Sequence, residues 1–267
     1  MLASIVYFTD PLLQHYYMSS HWNLKCLFSG HIIAALLLGS WFYPPTRSLW
    51  DALDKTVFCS LNGSLVGHHS WQMFWAIANW KIVADIPIAF IMIGLCLFYS
   101  FHGIGKQKRF AHFIFLSLYM SIALIISKQC LQSIFSLERE SPSLVMPHVI
   151  RLSQQFPTLH IRDMSIHSFP SDHTTLAMLW ASFLCFFGKW RYGIPAVLLA
   201  LLFNIPRLVS GGHWFSDNFV GGISIALILF VWATSSPLYY YGMRISYKIS
   251  SYVLRRLRIV VNKGEKQ

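Results

Sequence analysis

Residues 169–188 read Phe169-Pro-Ser-Asp-His-Thr-Thr-Leu-Ala-Met-Leu-Trp-Ala-Ser-Phe-Leu-Cys-Phe-Phe-Gly188. A short polar motif ending at His173 opens directly onto an apolar run. Such a stretch begins at a membrane boundary and enters hydrocarbon, where roughly 20 mostly apolar residues are needed to cross. Working outward, comparable runs occupy 27–43, 82–101, 110–131, 193–210 and 217–237. The sequence therefore predicts an all-α, polytopic membrane bundle of about six transmembrane helices.

Composition agrees. Apolar residues make up 55% of the 267-residue chain, charged residues 12%, and mean hydropathy is +0.50. A soluble domain carries about 25% charged residues, so a soluble fold is excluded. The net charge of +11 is unevenly placed. Lys106, Lys108 and Arg109 share one loop, and Lys189 and Arg191 another. Arg244, Lys248, Arg255, Arg256, Arg258, Lys263 and Lys266 crowd the C-terminal tail. With both termini in the cytoplasm, all three basic segments fall on the cytoplasmic side, as the positive-inside rule requires. Residues 1–242 then form the membrane domain and 243–267 a basic cytoplasmic tail. Within that tail, residues 245–261 form an amphipathic stretch suited to an anionic inner leaflet. No basic stripe interleaved with aromatics faces a groove, so nucleic acid is not an expected partner.

The five cysteines lack any C-x-x-C spacing and read as small core residues. The first 27 residues lack the pattern of a cleaved signal peptide. In the outer segment 44–81, Leu49-Trp50-Asp51-Ala-Leu53-Asp54 and Trp71-Gln-Met-Phe74-Trp75 read as interfacial helices with belt tryptophans. They are expected to pack on the outer rim of the bundle, with a direct substrate role as the alternative. Asn62-Gly-Ser64 matches a glycosylation sequon by pattern only.

The chemistry sits at the same outer face. Phe169-Pro-Ser-Asp-His173 begins the fourth predicted span, and Arg207-Leu-Val-Ser-Gly-Gly-His213-Trp-Phe-Ser-Asp217 joins the fifth to the sixth. Arg139 lies between the third and fourth. His213 and Asp217 are four apart and share a face of a helix or turn. A carboxylate there fixes the imidazole tautomer and stabilises the charged form. His213 is thus a candidate nucleophile and His173 a proton donor to a leaving-group oxygen, with Arg139 and Arg207 clamping phosphoryl oxygens. Backbone N–H groups at residues 171–173 open a helix, a ready anion site. The arginines supply the positive charge, so no metal or cofactor is required. His167 lies near the motif and is a possible member of the site. His31, His68, His69, His102, His112, His148 and His160 are expected to be structural.

These motifs resemble the type 2 phosphatidic-acid phosphatase superfamily, whose pattern is K-x(6)-R-P, then P-S-G-H, then S-R-x(5)-H-x(3)-D. The third motif is nearly complete, with Pro206 for Ser; the second has Asp172 for Gly. The first has Gln132 at the Lys position and Glu140 where Pro is expected. The departures, with Arg139-Glu-Ser-Pro142 and Phe203-Asn-Ile-Pro-Arg207, are similar to one bacterial subgroup, and the likeness extends to Phe58, Asn62, Asn79 and Asp85. The resemblance implies phosphoryl transfer from undecaprenyl diphosphate to the 1-phosphate of lipid A, on the periplasmic face of the inner membrane, through a phosphohistidine. It implies His213 as nucleophile, His173 as acid and Asp217 orienting His213. It also implies Gln132, Arg139, Ser171, Asp172 and Arg207 as phosphate ligands. Lys128, one helical turn before Gln132, is a possible replacement cation. A lipid phosphatase using water, acting on undecaprenyl diphosphate or another lipid phosphate, shares the first half-reaction. A non-enzymatic lipid transporter is the alternative of another class.

Overall fold

The computed structural model describes residues 20–102, 104–126, 138–257 and 259. Every named element among them is a helix. These are α1 (Leu24–Phe42), α2 (Pro44–Gly63), α3 (His69–Asn79), α4 (Lys81–Phe101), α5 (Lys106–Ile126), α6 (Asp172–Ser210), α7 (Ile223–Ser235) and α8 (Leu238–Arg256). Single helical turns stand at Pro142–Val145 and Leu152–Gln155, and a π-helical segment, Asp217–Gly222, leads into α7.

Local chemistry sets several boundaries. The Asn23 side chain caps α1 by accepting from the Cys26 N–H at 3.2 Å. Pro44 and Pro45 occupy the first turn of α2, where a missing N–H costs nothing. Ser171 caps α6, and Gly211 ends it at φ 81, a left-handed conformation that glycine adopts without strain.

Among the described residues, four helices are long and apolar enough to cross a membrane: α1, α5, α6, and the π segment joined to α7. A shorter apolar run, Asp85–Phe101, lies in α4. At 39 residues, α6 would be far too long for one crossing. It breaks at Lys189, whose φ of 55 is non-helical, and the chain turns back there. Thr174 Oγ1 donates to Asn204 Oδ1 at 2.6 Å across thirty residues. In a straight helix that separation would be about 45 Å. The arms 172–188 and 190–210 are thus antiparallel neighbours, as the two separate predicted runs required. Their turn carries Lys189 and Arg191, far from the motifs at the opposite end.

The helices present large apolar side chains outward: Phe28, Ile32 and Leu36 on α1, Phe90 and Ile93 on α4, and Leu198 and Leu202 on α6. Exposed rows of this kind suit lipid, whereas water would oppose them. Inside, Phe115, Tyr119, Phe183 and Tyr239 form an aromatic centre shared by α5, α6 and α8. Two buried tyrosine hydroxyls are paired there, as a bilayer favours. Tyr119 Oη donates to the Leu229 carbonyl at 2.7 Å, and Tyr99 Oη lies 2.8 Å from His112 Nδ1. His112 also stacks on Phe187 at 4.2 Å, a packing role.

α8 lies along α5, with Ser250 Oγ donating to the Gln107 carbonyl at 2.8 Å. α2 and α3 sit at the motif end of the bundle. Asn62 is buried there, its amide bonded to the Ile150 and Val209 carbonyls and to the Ile150 N–H. It works as a clasp between α2 and the outer loops and is not an accessible sequon.

Candidate active site

Backbone pairing assembles the site before any side chain acts. Ser168 N–H donates to the Arg139 carbonyl at 2.9 Å, and Ser141 N–H to the Ser165 carbonyl at 2.9 Å. Ser143 N–H reaches the Gly211 carbonyl at 3.2 Å, and Ser171 N–H the Asp217 carbonyl at 3.1 Å. The three motifs, separated by tens of residues, are thereby stitched edge to edge.

His213 is buried, and its Nδ1 lies 2.9 Å from the Ser168 carbonyl oxygen. A carbonyl can only accept, so Nδ1 carries the proton and Nε2 keeps the lone pair. Asp217 Oδ2 stands 3.7 Å from the same nitrogen, beyond hydrogen-bond reach. The expected His213–Asp217 hydrogen bond is therefore made by Ser168 instead. Asp217 Oδ2 accepts the Trp214 N–H at 2.7 Å, while Oδ1 pairs with Arg139 Nη1.

Arg139 is the second departure from expectation. Its Nη1 bonds Asp217 and Ser216 Oγ, and its Nη2 reaches Asp54 Oδ2 at 2.7 Å. Asp54 also accepts the Ser216 N–H at 2.7 Å and the Ser216 hydroxyl at 2.6 Å. Burial pushes the Asp54 carboxyl above its ordinary value; the Ser216 hydrogen bonds and the Arg139 charge pull it back. Trp41 completes the cluster, donating to Ser216 Oγ at 3.2 Å and stacking on Phe169 at 4.2 Å. Asp54 belongs to α2, so the outer helix expected first of all on the rim enters the site. The period of that amphipathic helix put Asp54, Phe58 and Asn62 on one face, a signal that polar membership of an inward face supplied. A cavity of about 230 Å³ borders this network, lined by Arg47, Asp51, Asp54, Lys55, Arg139, Glu140 and Trp214. Its cations and acids balance in number, which does not suit an anion.

Around His173 the arrangement is more open. Asp172 Oδ1 accepts the His173 N–H at 2.8 Å and lies 3.5 Å from His173 Nε2. Asp172, His173, Arg207 and His213 are close enough to act on one another's charge. Arg207 is buried, with Nη2 3.7 Å from Asp85 Oδ1. Asp85 Oδ2 also pairs with Arg162 at 3.1 Å. Arg162 carries no motif and escaped the sequence reading. The N–H groups of Ser171 and His173, expected to form an anion site, are already occupied by Asp217 and Asp172. Ser171 is fully buried, and its hydroxyl oxygen accepts from Thr174 Oγ1 at 3.1 Å. His167 is exposed, its N–H on Ser165 Oγ at 3.2 Å. Lys128 and Gln132, both expected near the phosphate, lie outside the described residues.

Gly212 locks this end of the site. A Cβ there would stand 2.7 Å from the Arg162 carbonyl oxygen, a backbone atom that cannot swing aside. Gly212→Ala is therefore expected to displace His213 and lower kcat/KM by roughly 100-fold, the usual penalty for about 1 Å of misplacement. Steady-state kinetics on detergent-purified variant checks this; wild-type kinetics would show that the contact relaxes freely.

Known proteins place this geometry. Residues 117–239 match the model of the PAP2 superfamily, a span that holds Arg139 and both histidine motifs. The chain is 26% identical over 222 residues to lipid A 1-diphosphate synthase of Escherichia coli (strain K12), covering 81% of this chain and 90% of that protein. No solved structure matches significantly. With its apolar helices and a site joined from the motifs of that matched span, the chain is similar to the membrane lipid phosphatases and phosphotransferases of the PAP2 superfamily.

Proposed function

We propose that the protein transfers a phosphoryl group from undecaprenyl diphosphate to the 1-phosphate of lipid A, through a phosphohistidine on His213. The observation that carries this reading is the Ser168 carbonyl at 2.9 Å from His213 Nδ1, which leaves Nε2 as the free nucleophile. In the first half-reaction, Nε2 attacks the terminal phosphorus and the P–O bond to the bridging oxygen breaks. His173 gives its proton to that oxygen, which leaves on the lipid monophosphate. In the second, a phosphate oxygen of lipid A attacks the phosphohistidine and His213 is released. Arg207 neutralises the phosphoryl oxygens.

Asp172 takes a different part from the expected phosphate ligand. An ionised carboxylate repels phosphate; Asp172 instead stands 3.5 Å from His173 Nε2, beside the ring that serves as acid. Asp217 acts on His213 through charge and through Trp214, and Arg139 through Asp217.

The chain is read as crossing a bacterial inner membrane six times, with residues 1–242 as its membrane domain and 243–267 as a basic tail. Both termini are cytoplasmic, and the site faces the periplasm. The basic turn at Lys189–Arg191 and the motifs, at opposite ends of the α6 hairpin, support that orientation. Labelled undecaprenyl diphosphate, given to the purified protein with and without lipid A and resolved by thin-layer chromatography, tests the acceptor. Label on lipid A is the expected result; release only as inorganic phosphate would make the protein a lipid phosphatase. Turnover should also persist in excess EDTA, because the arginines carry the charge; loss restored by a divalent cation would contradict that.

A further inference from the structure

Arg162 is the cation at this site that no motif announces, and its backbone is fixed from three sides. Ile161 pairs with Trp80 in an antiparallel bridge. Asn79 Nδ2 donates to the Arg162 carbonyl at 3.3 Å. The same carbonyl abuts Gly212, the residue before His213. Its guanidinium is close enough to His173 and Arg207 to act on their charge. Those contacts are light: Nη1 pairs with Asp85 Oδ2 at 3.1 Å, with side-chain exposures of 35% and 32%. Asp85 is shared with Arg207, and Asp172 also acts on the Arg207 charge, so Arg207 has a second carboxylate to balance it and Arg162 has only its share of Asp85. Arg139, by contrast, is only 11% exposed and is held between two buried carboxylates.

We propose that Arg162 binds the second phosphate of a diphosphate lipid, the one that stays on the lipid when the terminal phosphoryl group leaves. The assignment rests on the phosphotransfer reading above. Arg207 is buried beside His213 and His173, where the transferred group must sit. Arg162 lies farther out, on the half-exposed side of the shared Asp85, where the next phosphate of the chain falls. A diphosphate brings more negative charge than a monoester, and Gln132 has removed one cation from the superfamily pattern. Arg162 returns it, at the rim and not in the transfer pocket. Exchanging Asp85 for phosphate replaces one ion pair with another, bidentate and better matched to a guanidinium.

The test compares a polyprenyl diphosphate with the matching monophosphate as phosphoryl donors to the full chain in detergent. Kinetics would be run on wild type, Arg162→Gln, Arg162→Lys and, as a charge control in the same outer segment, Arg151→Gln. Loss of a charged hydrogen bond predicts that Arg162→Gln raises KM for the diphosphate roughly 10–100-fold. The monophosphate should change little, Lys should restore part of the preference, and the control should match wild type. Equal loss on both donors, or no loss on either, overturns the assignment to the second phosphate. A wild-type protein that cleaves neither donor would instead overturn the phosphotransfer reading itself, and with it this assignment.

Discussion

His213→Asn should lower turnover by on the order of 10⁴-fold or more, the scale seen when a covalent nucleophile is removed. The asparagine amide nitrogen falls where Nδ1 sits and can still donate to the Ser168 carbonyl, so the loop tie that Nδ1 provides is retained while Nε2 disappears. Folding should survive, with the thermal midpoint in detergent close to wild type. The same variant should fail to trap label from a labelled donor, whereas wild type should hold it in an acid-labile, base-stable adduct. Residual turnover above about a tenth of wild type would mean that His213 is not the nucleophile, since intact binding and charge stabilisation alone leave far less. The transporter alternative expects this substitution to be nearly silent.

Arg139→Met should act first on stability. It leaves Asp54 and Asp217, 1% and 0% exposed, facing each other without their shared cation. Breaking a buried ion network by removing one partner costs about 3–5 kcal/mol. For a protein of this size that lowers the midpoint by on the order of 10 °C. The double variant Arg139→Met, Asp54→Asn should recover part of this loss, because one of the stranded carboxylates is gone. A superfamily role as a phosphate ligand predicts the reverse: a raised KM with an unchanged midpoint. Thermal unfolding beside kinetics separates the two. An unchanged midpoint in Arg139→Met would show that the guanidinium is not committed to the two acids.

Much of the architecture was legible because lipid imposes simple rules. Apolar runs at 27–43, 82–101, 172–188 and 193–210 each meet a helix or helix arm, since in hydrocarbon the backbone must satisfy itself within the segment. The turn at Lys189 was visible as two cations breaking an apolar run. The histidine motifs were equally visible, because His173, Arg207 and His213 keep superfamily spacing. The outer segment stays open between rim and site in the sequence, because an amphipathic helix with belt tryptophans reads the same whether its polar face meets water or a buried site. Asp54 faces Ser216 and Arg139, a fact that depends on contacts 162 and 85 residues away.

The sequence by itself determined a membrane-embedded helical bundle and two imidazoles at one end of it, because hydropathy and motif spacing are local properties of the chain. Only the tertiary structure decided what each polar group bonds. It gave His213 Nδ1 to the Ser168 carbonyl, Arg139 to two buried acids, and Arg162 to the rim through Asp85. The reason is that hydrogen bonds act over about 3 Å. Which groups come that close is fixed by the fold of loops whose own residues carry little pattern.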